Sequence, residues 1–367
     1  MQKLIQMTEV EFIPSPYTHD LDSGKVTWQS PSNIALVKYW GKKENQIPAN
    51  PSISFTLSNC ATTTTVSYKK LEVPSSGFSF DFVFEGESKE DFKPKIVTFF
   101  KRIEKYLPFL KKYHFVIESS NSFPHSSGIA SSASSMSALA LCCMDLESQL
   151  VPDMNNDYFL KKASFLSRLG SGSACRSLKG PLVEWGAHKD FQDSSDLYGV
   201  PFSKEVHSVF QNYQDTVLLV DKGEKQVSST VGHGLMHGHP FADKRFEQAH
   251  ENLGKLKSVL VEGDLDGFIG IVESEALTLH AMMMTSMPYF ILMKPNTLEI
   301  INKIWKFRKK SHSHICFTLD AGANVHVLYP ASEKKSIHDF IDEELSIYCQ
   351  NGQYIHDCVG FGARKLV

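Results

Sequence analysis

From Val66 apolar and polar positions alternate in "VSYKK", and they do so again in "FSFDFVF" at 78–84, the period of two that predicts half-buried strands. Through 95–113 apolar side chains recur at helical intervals instead, and Pro108 predicts a break near the end of that helix. "HFVIESSNSFP" reads as a strand entering a loop. "ASSASSMSALALCCMDL" follows as a helix of small and apolar residues, hence a buried one. The run "DTVLLVDKG" (215–223) is short, apolar and closed by turn residues, as a core strand is. Residues 241–282 and 295–310 read as helices, 315–330 as strand, glycine loop and strand, and 336–349 as a last helix. Residues 1–28 show no such pattern and read as a loose lead-in. Strands and helices mix without the strict alternation of a doubly wound sheet, which predicts an α+β fold divided near residue 210.

Composition narrows the function classes. The chain has 367 residues, 42% of them hydrophobic, enough to bury a sizeable core. Its 38 Lys and Arg against 41 Asp and Glu leave a net charge of −3, so no global field draws it to nucleic acid or to an anionic membrane. The basic run "KFRKKSHSH" (306–314) reads as a solvated helix end rather than a nucleic-acid site. Any bound anion must therefore be held locally. Seven cysteines, odd in number and without C-x-x-C spacing, lie mostly in apolar company and fit buried thiols in a reducing cytoplasm. No basic-then-apolar leader and no run of eighteen apolar residues is visible, so neither export nor membrane insertion is expected.

Four short stretches carry chemistry. "PHSSGIASSAS" (124–134) joins a strand to a helix. Its glycine and small side chains leave backbone amides bare at the positive end of that helix, which is an anion site in the making, although it matches neither the Walker nor the dinucleotide fingerprint. "SPSNIALVKYWGKK" (30–43) sets Lys38, Tyr39, Lys42 and Lys43 around a strand-like IALV core. "SRLGSGSACRSLKG" (167–180) combines Ser171, Ser173 and Arg176 with glycines, a donor set suited to phosphate oxygens. In "TLDAGANV", Asp320 ends a strand and faces a Gly-Ala loop; alone, such an Asp is commonly a turn residue.

Taken together, N-I-A-L-V-K-Y-W-G-K (33–42), N-S-F-P-H-S-S-G-I-A-S-S-A (121–133), G-S-G-S-A-C-R-S-L (170–178) and F-T-L-D-A-G-A-N (317–324) resemble the diphosphomevalonate decarboxylase family. That family lies within the small-molecule kinase superfamily of galactokinase, homoserine kinase, mevalonate kinase and phosphomevalonate kinase. The resemblance runs from about residue 28 to about residue 330 and more weakly beyond. It implies a two-lobed α+β fold, an N-terminal lobe (29–210) like domain 2 of ribosomal protein S5 and a C-terminal ferredoxin-like α/β sandwich (211–367), with a cleft between them. It further implies phosphorylation of the 3-hydroxyl of mevalonate 5-diphosphate by ATP, with Mg²⁺, then loss of phosphate and carbon dioxide to give isopentenyl diphosphate. Asp320 is then the base or orienting group with Lys38 beside it. Asn33, Tyr39, Lys42, Ser171, Ser173 and Arg176 hold the substrate, and Ser126, Ser127, Gly128, Ala130, Ser131 and Ser132 hold the ATP phosphates, Ser132 also reaching the metal. By the same resemblance the protein is expected to be a cytoplasmic homodimer.

The chain departs from the family pattern at "SSTVGHGLMHGHP" (228–240), where relatives commonly read S-S-x-x-G-M. His233, His237 and His239 stand close in sequence there, yet no carboxylate or thiol completes a metal set, so a histidine-bearing loop is expected. No phosphate contact is carried over from this segment. Ala323 also replaces a common Pro. Alternatives are a family member acting on the monophosphate or on a bisphosphate, or stopping at 3-phosphorylation, and an inactive member serving as a binding protein; the filled motif positions favour the full reaction.

Overall fold

The computed structural model describes residues 7–124, 129–222 and 229–367. Strands β1 (Ser23–Val37), β2 (Ser52–Lys70), β3 (Ser79–Phe84), β4 (Glu87–Ser88), β5 (Tyr113–Asn121), β6 (Leu182–Trp185) and β7 (Val200–Pro201) build the first sheet. Strands β8 (Gln214–Leu218), β9 (Cys316–Leu319), β10 (Val325–Tyr329) and β11 (Tyr354–Cys358) build the second, in the order β11-β8-β10-β9, while β12 (Arg364–Lys365) returns to the edge of the first sheet beside β1. The helices are α1 (Lys93–Ile103), α2 (Ser131–Leu150), α3 (Asn156–Gly170), α4 (Ser208–Gln211), α5 (Ser229–Gly234), α6 (Ala242–Glu262), α7 (Leu265–Met284), α8 (Pro295–Ser311) and α9 (Lys334–Phe340). The molecule is two-lobed and α+β.

The long β1–β2 hairpin pairs antiparallel from Ser23 opposite Lys69 to Val37 opposite Ile53 and carries the first lobe. Helices α1, α2 and α3 cover one of its faces. The serines of α2 let that helix sit close, with Ser30 Oγ donating to Ser137 Oγ at 2.7 Å and Ser134 2.6 Å from Thr62. On the opposite face, α6 and α7 lie between the two sheets: Leu253, Phe268 and Val272 share one contiguous core with Ile34 and Phe55 of the first sheet and Val217 and Leu328 of the second. The apolar run 217–220, which begins at the end of β8, is explained by its surroundings. Val217 and Leu219 enter that core while Leu218 enters the core under α8, so both faces are buried.

Several expectations are corrected. The described part of the lead-in is packed, not loose: Phe12 is fully buried, stacking on Phe165 at 4.5 Å, and Tyr17 donates to Glu147 at 2.9 Å. A lone aromatic in a polar stretch gives no periodic signal, so pattern reading passes over it. The helix read over 95–113 ends at Ile103, and the helix read over 241–282 is two helices. Gly263 ends the first of these in the left-handed conformation, φ 77°, and the Asp264 carboxylate caps the second by accepting from the Gly267 amide at 2.9 Å. Strands β11 and β12 were not foreseen. In the run 306–314, Arg308 is spent on Glu273 at 2.6 Å.

Candidate active site

One cavity of about 900 Å³ opens between the lobes. The end of β1 and the turn after it bring Asn33, Lys38, Tyr39 and Lys42 to its wall; the residues around the start of α2 bring Ala130, Ser131 and Ser132. The segment after α3 brings Ser171, Ser173 and Arg176, and the turn after β9 brings Asp320. Ser126, Ser127 and Gly128 lie outside the described residues. Every other residue to which the resemblance assigns a site role thus faces a common space, whereas Lys43, His237 and His239 do not line it.

Local geometry explains how each is held. Lys38 Nζ lies 3.2 Å from Asp320 Oδ1; the lysine side chain is 2% exposed and the aspartate 28%, so the pair has one side in the cavity and one in the protein. Burial pulls the Lys38 ammonium below the usual lysine range, while the Asp320 carboxylate opposes that shift. His280 fixes the other end of the aspartate, its Nε2–H donating to the Asp320 carbonyl at 3.0 Å, and burial holds this imidazole neutral with a pKa near 4. Arg176 donates from Nε to Ser54 Oγ at 2.6 Å and from Nη1 to Ser52 Oγ at 2.5 Å, and no described carboxylate lies within 4 Å of its guanidinium. Lys42 is pulled down by partial burial and by Arg102, which lines the same cavity. Tyr39 Oη is buried without a hydrogen-bond partner. A side chain at Gly172 would collide with the Tyr39 hydroxyl and the Trp185 ring, which makes glycine necessary in G-S-G-S. Asn33 Nδ2 is engaged by Ser177 Oγ at 2.7 Å and the Ser173 carbonyl at 3.2 Å, so it braces the 170–178 segment as well as lining the cavity.

Ala130 adopts a left-handed φ of 46° and no described side chain caps α2, whose first amides lie at the positive end of a long helix. Beyond this point the cavity turns apolar, walled by Phe82, Phe84, Phe92 and Phe99. Among the described residues no group of three His, Cys, Asp or Glu side chains is placed to hold a metal ion. His233 and His239 spend ring nitrogens on separate partners, the Gly41 amide and the Met282 carbonyl.

Sequence reasoning missed the support behind the pair. Glu275 Oε2 accepts from the Lys38 amide at 2.8 Å and pairs with Arg245 at 2.5 Å, and Oε1 accepts from Asn252 at 2.7 Å. Arg245 and Asn50 both donate to the Lys38 carbonyl. His233, expected in a histidine-bearing loop without a site role, instead lies in α5 and sits among the cavity's wall residues. Glu275 is one of two glutamates in a largely apolar helix, and nothing local pointed to its partners.

Comparisons with known proteins identify the family. A family model described as the diphosphomevalonate decarboxylase-like N-terminal domain matches residues 30–196, and one described as the mevalonate 5-diphosphate decarboxylase C-terminal domain matches 216–359. The diphosphomevalonate decarboxylase of Debaryomyces hansenii is 29% identical over 325 residues, 84% of this chain and 79% of that one. The crystal structure of a mevalonate diphosphate decarboxylase from Legionella pneumophila is 30% identical, with a TM-score of 0.75 over 90% of this chain and all of that one. A solved structure described as MDDEF in complex with MVAPP, AMPPCP and magnesium has a TM-score of 0.79 at 25% identity, covering 93% of this chain and 98% of that one.

Proposed function

This chain belongs to the diphosphomevalonate decarboxylase family, and from that premise we propose that it converts mevalonate 5-diphosphate and ATP into isopentenyl diphosphate, ADP, phosphate and carbon dioxide. The observation that carries the reading is the Lys38–Asp320 pair, 3.2 Å apart on the wall of a cavity that Arg176 and the start of α2 also line. Asp320 receives or orients the 3-hydroxyl proton as that oxygen attacks the terminal phosphorus of ATP. Lys38 keeps the carboxylate ionised and offsets charge on the transferring phosphoryl. Such a transfer passes through a loose transition state, so alignment and charge neutralisation supply most of the rate. Departure of the tertiary 3-phosphate then builds positive charge at C3, and cleavage of the adjacent carboxylate's C–C bond discharges it into the alkene. No electron sink is needed.

Tyr39, Lys42, Ser171, Ser173 and Arg176 grip the 5-diphosphate, and Asn33 meets the substrate carboxylate. Arg176 supports the grip because a buried guanidinium without a carboxylate partner is suited to an incoming anion. The ATP phosphates lie on the Ala130–Ser132 amides, and the base lies at the aromatic end of the cavity. Mg²⁺ takes its ligands chiefly from phosphate oxygens and water, so one protein oxygen, Ser132 Oγ, fits it here; when bound it neutralises charge on the transferring group. The N-terminal lobe (29–210) is the nucleotide lobe. The location is cytoplasmic, supported by seven free cysteines. A homodimer is supported by exposed Met287, Tyr289, Ile291 and Leu298; a monomer mass by sedimentation would remove that part.

The test is to incubate the protein with ATP, Mg²⁺ and mevalonate 5-phosphate or 5-diphosphate in parallel, following ADP and carbon dioxide together. Both products from the diphosphate are expected, and Asp320→Asn lowers kcat by roughly 10²- to 10⁴-fold with ATP binding retained. ADP without carbon dioxide means a bare kinase, both products only from the monophosphate means a different substrate, and a fully active Asp320→Asn removes its assigned role.

A further inference from the structure

His233 lies in the segment that departs from the family pattern, and the structure gives it a definite place. α5 presses its ring against the rings of Tyr39 and Trp40, with centroid distances of 4.2 and 4.6 Å, and the residue lines the cavity. The Gly41 amide donates to Nδ1 at 3.0 Å. An acceptor at Nδ1 requires the proton of the neutral ring to sit on Nε2, so the tautomer is fixed by the backbone. Nε2 makes no hydrogen bond to a described residue, and the residue as a whole is 8% exposed. Burial, with the charges of Lys42 and Arg176, holds the ring neutral, its pKa near 3. The imidazole is thus an oriented, uncharged N–H donor beside two of the cations assigned to the substrate's diphosphate.

We infer that His233 is a substrate-binding residue that donates its Nε2–H to an oxygen of the 5-diphosphate while its Nδ1 holds the Trp40–Gly41 turn. The inference rests on the functional reading above. Because Tyr39 and Trp40 fix the ring before the ligand arrives, little side-chain freedom is lost when the hydrogen bond forms. A neutral donor is also the suitable third partner here, since a further cation would be repelled by Lys42 and Arg176.

Two substitutions separate the two nitrogens. His233→Asn places an amide oxygen near the Nδ1 position and so keeps an acceptor for Gly41 without the outer donor; His233→Gln places an N–H near the Nε2 position. The probe is inorganic pyrophosphate, titrated calorimetrically into the full chain, alongside steady-state kinetics with mevalonate 5-diphosphate and thermal midpoints without ligand. Losing a hydrogen bond to a charged oxygen should weaken pyrophosphate binding, and raise KM for the diphosphate substrate, roughly ten- to a hundredfold in the Asn variant. KM for ATP should stay near wild type, kcat should change far less than KM, and Gln should restore most of the loss. Pyrophosphate affinity unchanged in the Asn variant, or absent from the wild type, overturns the inference. So does rescue by Asn and not by Gln, which would leave His233 only its contact with Gly41. Histidine-dependent pyrophosphate binding without turnover of mevalonate 5-diphosphate would instead count against the proposed reaction and leave the donor role standing.

Discussion

Arg176 and Arg245 are equally buried, each 2% exposed, and their surroundings differ in one respect. Arg245 has the Glu275 carboxylate at 2.5 Å, in a network that grips the backbone of Lys38 from behind. Arg176 has two serine hydroxyls, no described carboxylate within 4 Å, and an open cavity in front. A guanidinium cannot escape burial by releasing its proton, so it must find an anion. Behind the wall the protein supplies that anion; at the wall it does not. Glu184 shows the opposite resolution. It too is buried, with Oε2 unpartnered and no described cation within 4 Å, and burial raises its pKa to about 8. An acid without a counter-charge can keep its proton, whereas an arginine without a carboxylate at contact distance stays charged and is suited to an incoming anion.

The sharpest break of this contrast is Glu275→Gln. It leaves Arg245 buried beside a neutral amide, so unfolding free energy by urea titration should fall by about 3–5 kcal/mol. Arg176→Met should behave otherwise, costing much less stability than Glu275→Gln while raising KM for mevalonate 5-diphosphate by the equivalent of about 2–5 kcal/mol. Pyrophosphate at a hundred times its Kd should stabilise the wild type by about 2.7 kcal/mol, and this protection should vanish in the Met variant. Equal destabilisation of the two variants, with pyrophosphate protection intact, would make Arg176 another structural rivet. The last test concerns Glu184, whose effect is spread over several pH units. Its folded pKa near 8 lies above the unfolded value near 4.5, so the folded state holds a proton that the unfolded chain has lost between those values. Stability contributed by this group therefore falls as pH rises through that window, with a slope of at most about 1.4 kcal/mol per pH unit. Glu184→Gln should flatten that part of the stability curve, and an unaltered curve would mean that Glu184 is ionised and solvated.

Much of the candidate site was legible because it is local. The small residues of 124–134, the G-S-G-S-A-C-R-S run and the strand-ending Asp320 each carry their chemistry within a few positions, where backbone sterics and helix polarity dictate what a short segment can do. Helix and strand periodicities were equally local, and they failed where one residue overrode them: Gly263 splitting a helix, Phe12 anchoring an aperiodic stretch.

The sequence by itself determined which segments expose bare amides, which carry cations and which strands are buried on both faces, since these follow from side-chain size, charge and spacing along the chain. Only the tertiary structure decided that Lys38 meets Asp320 across 282 positions, that Glu275 reaches back 237 positions to hold the Lys38 amide, and that His233 lines the same cavity while accepting from the Gly41 amide. Contacts of that separation are set by how two sheets pack on the α6–α7 layer, and no local pattern encodes that distance.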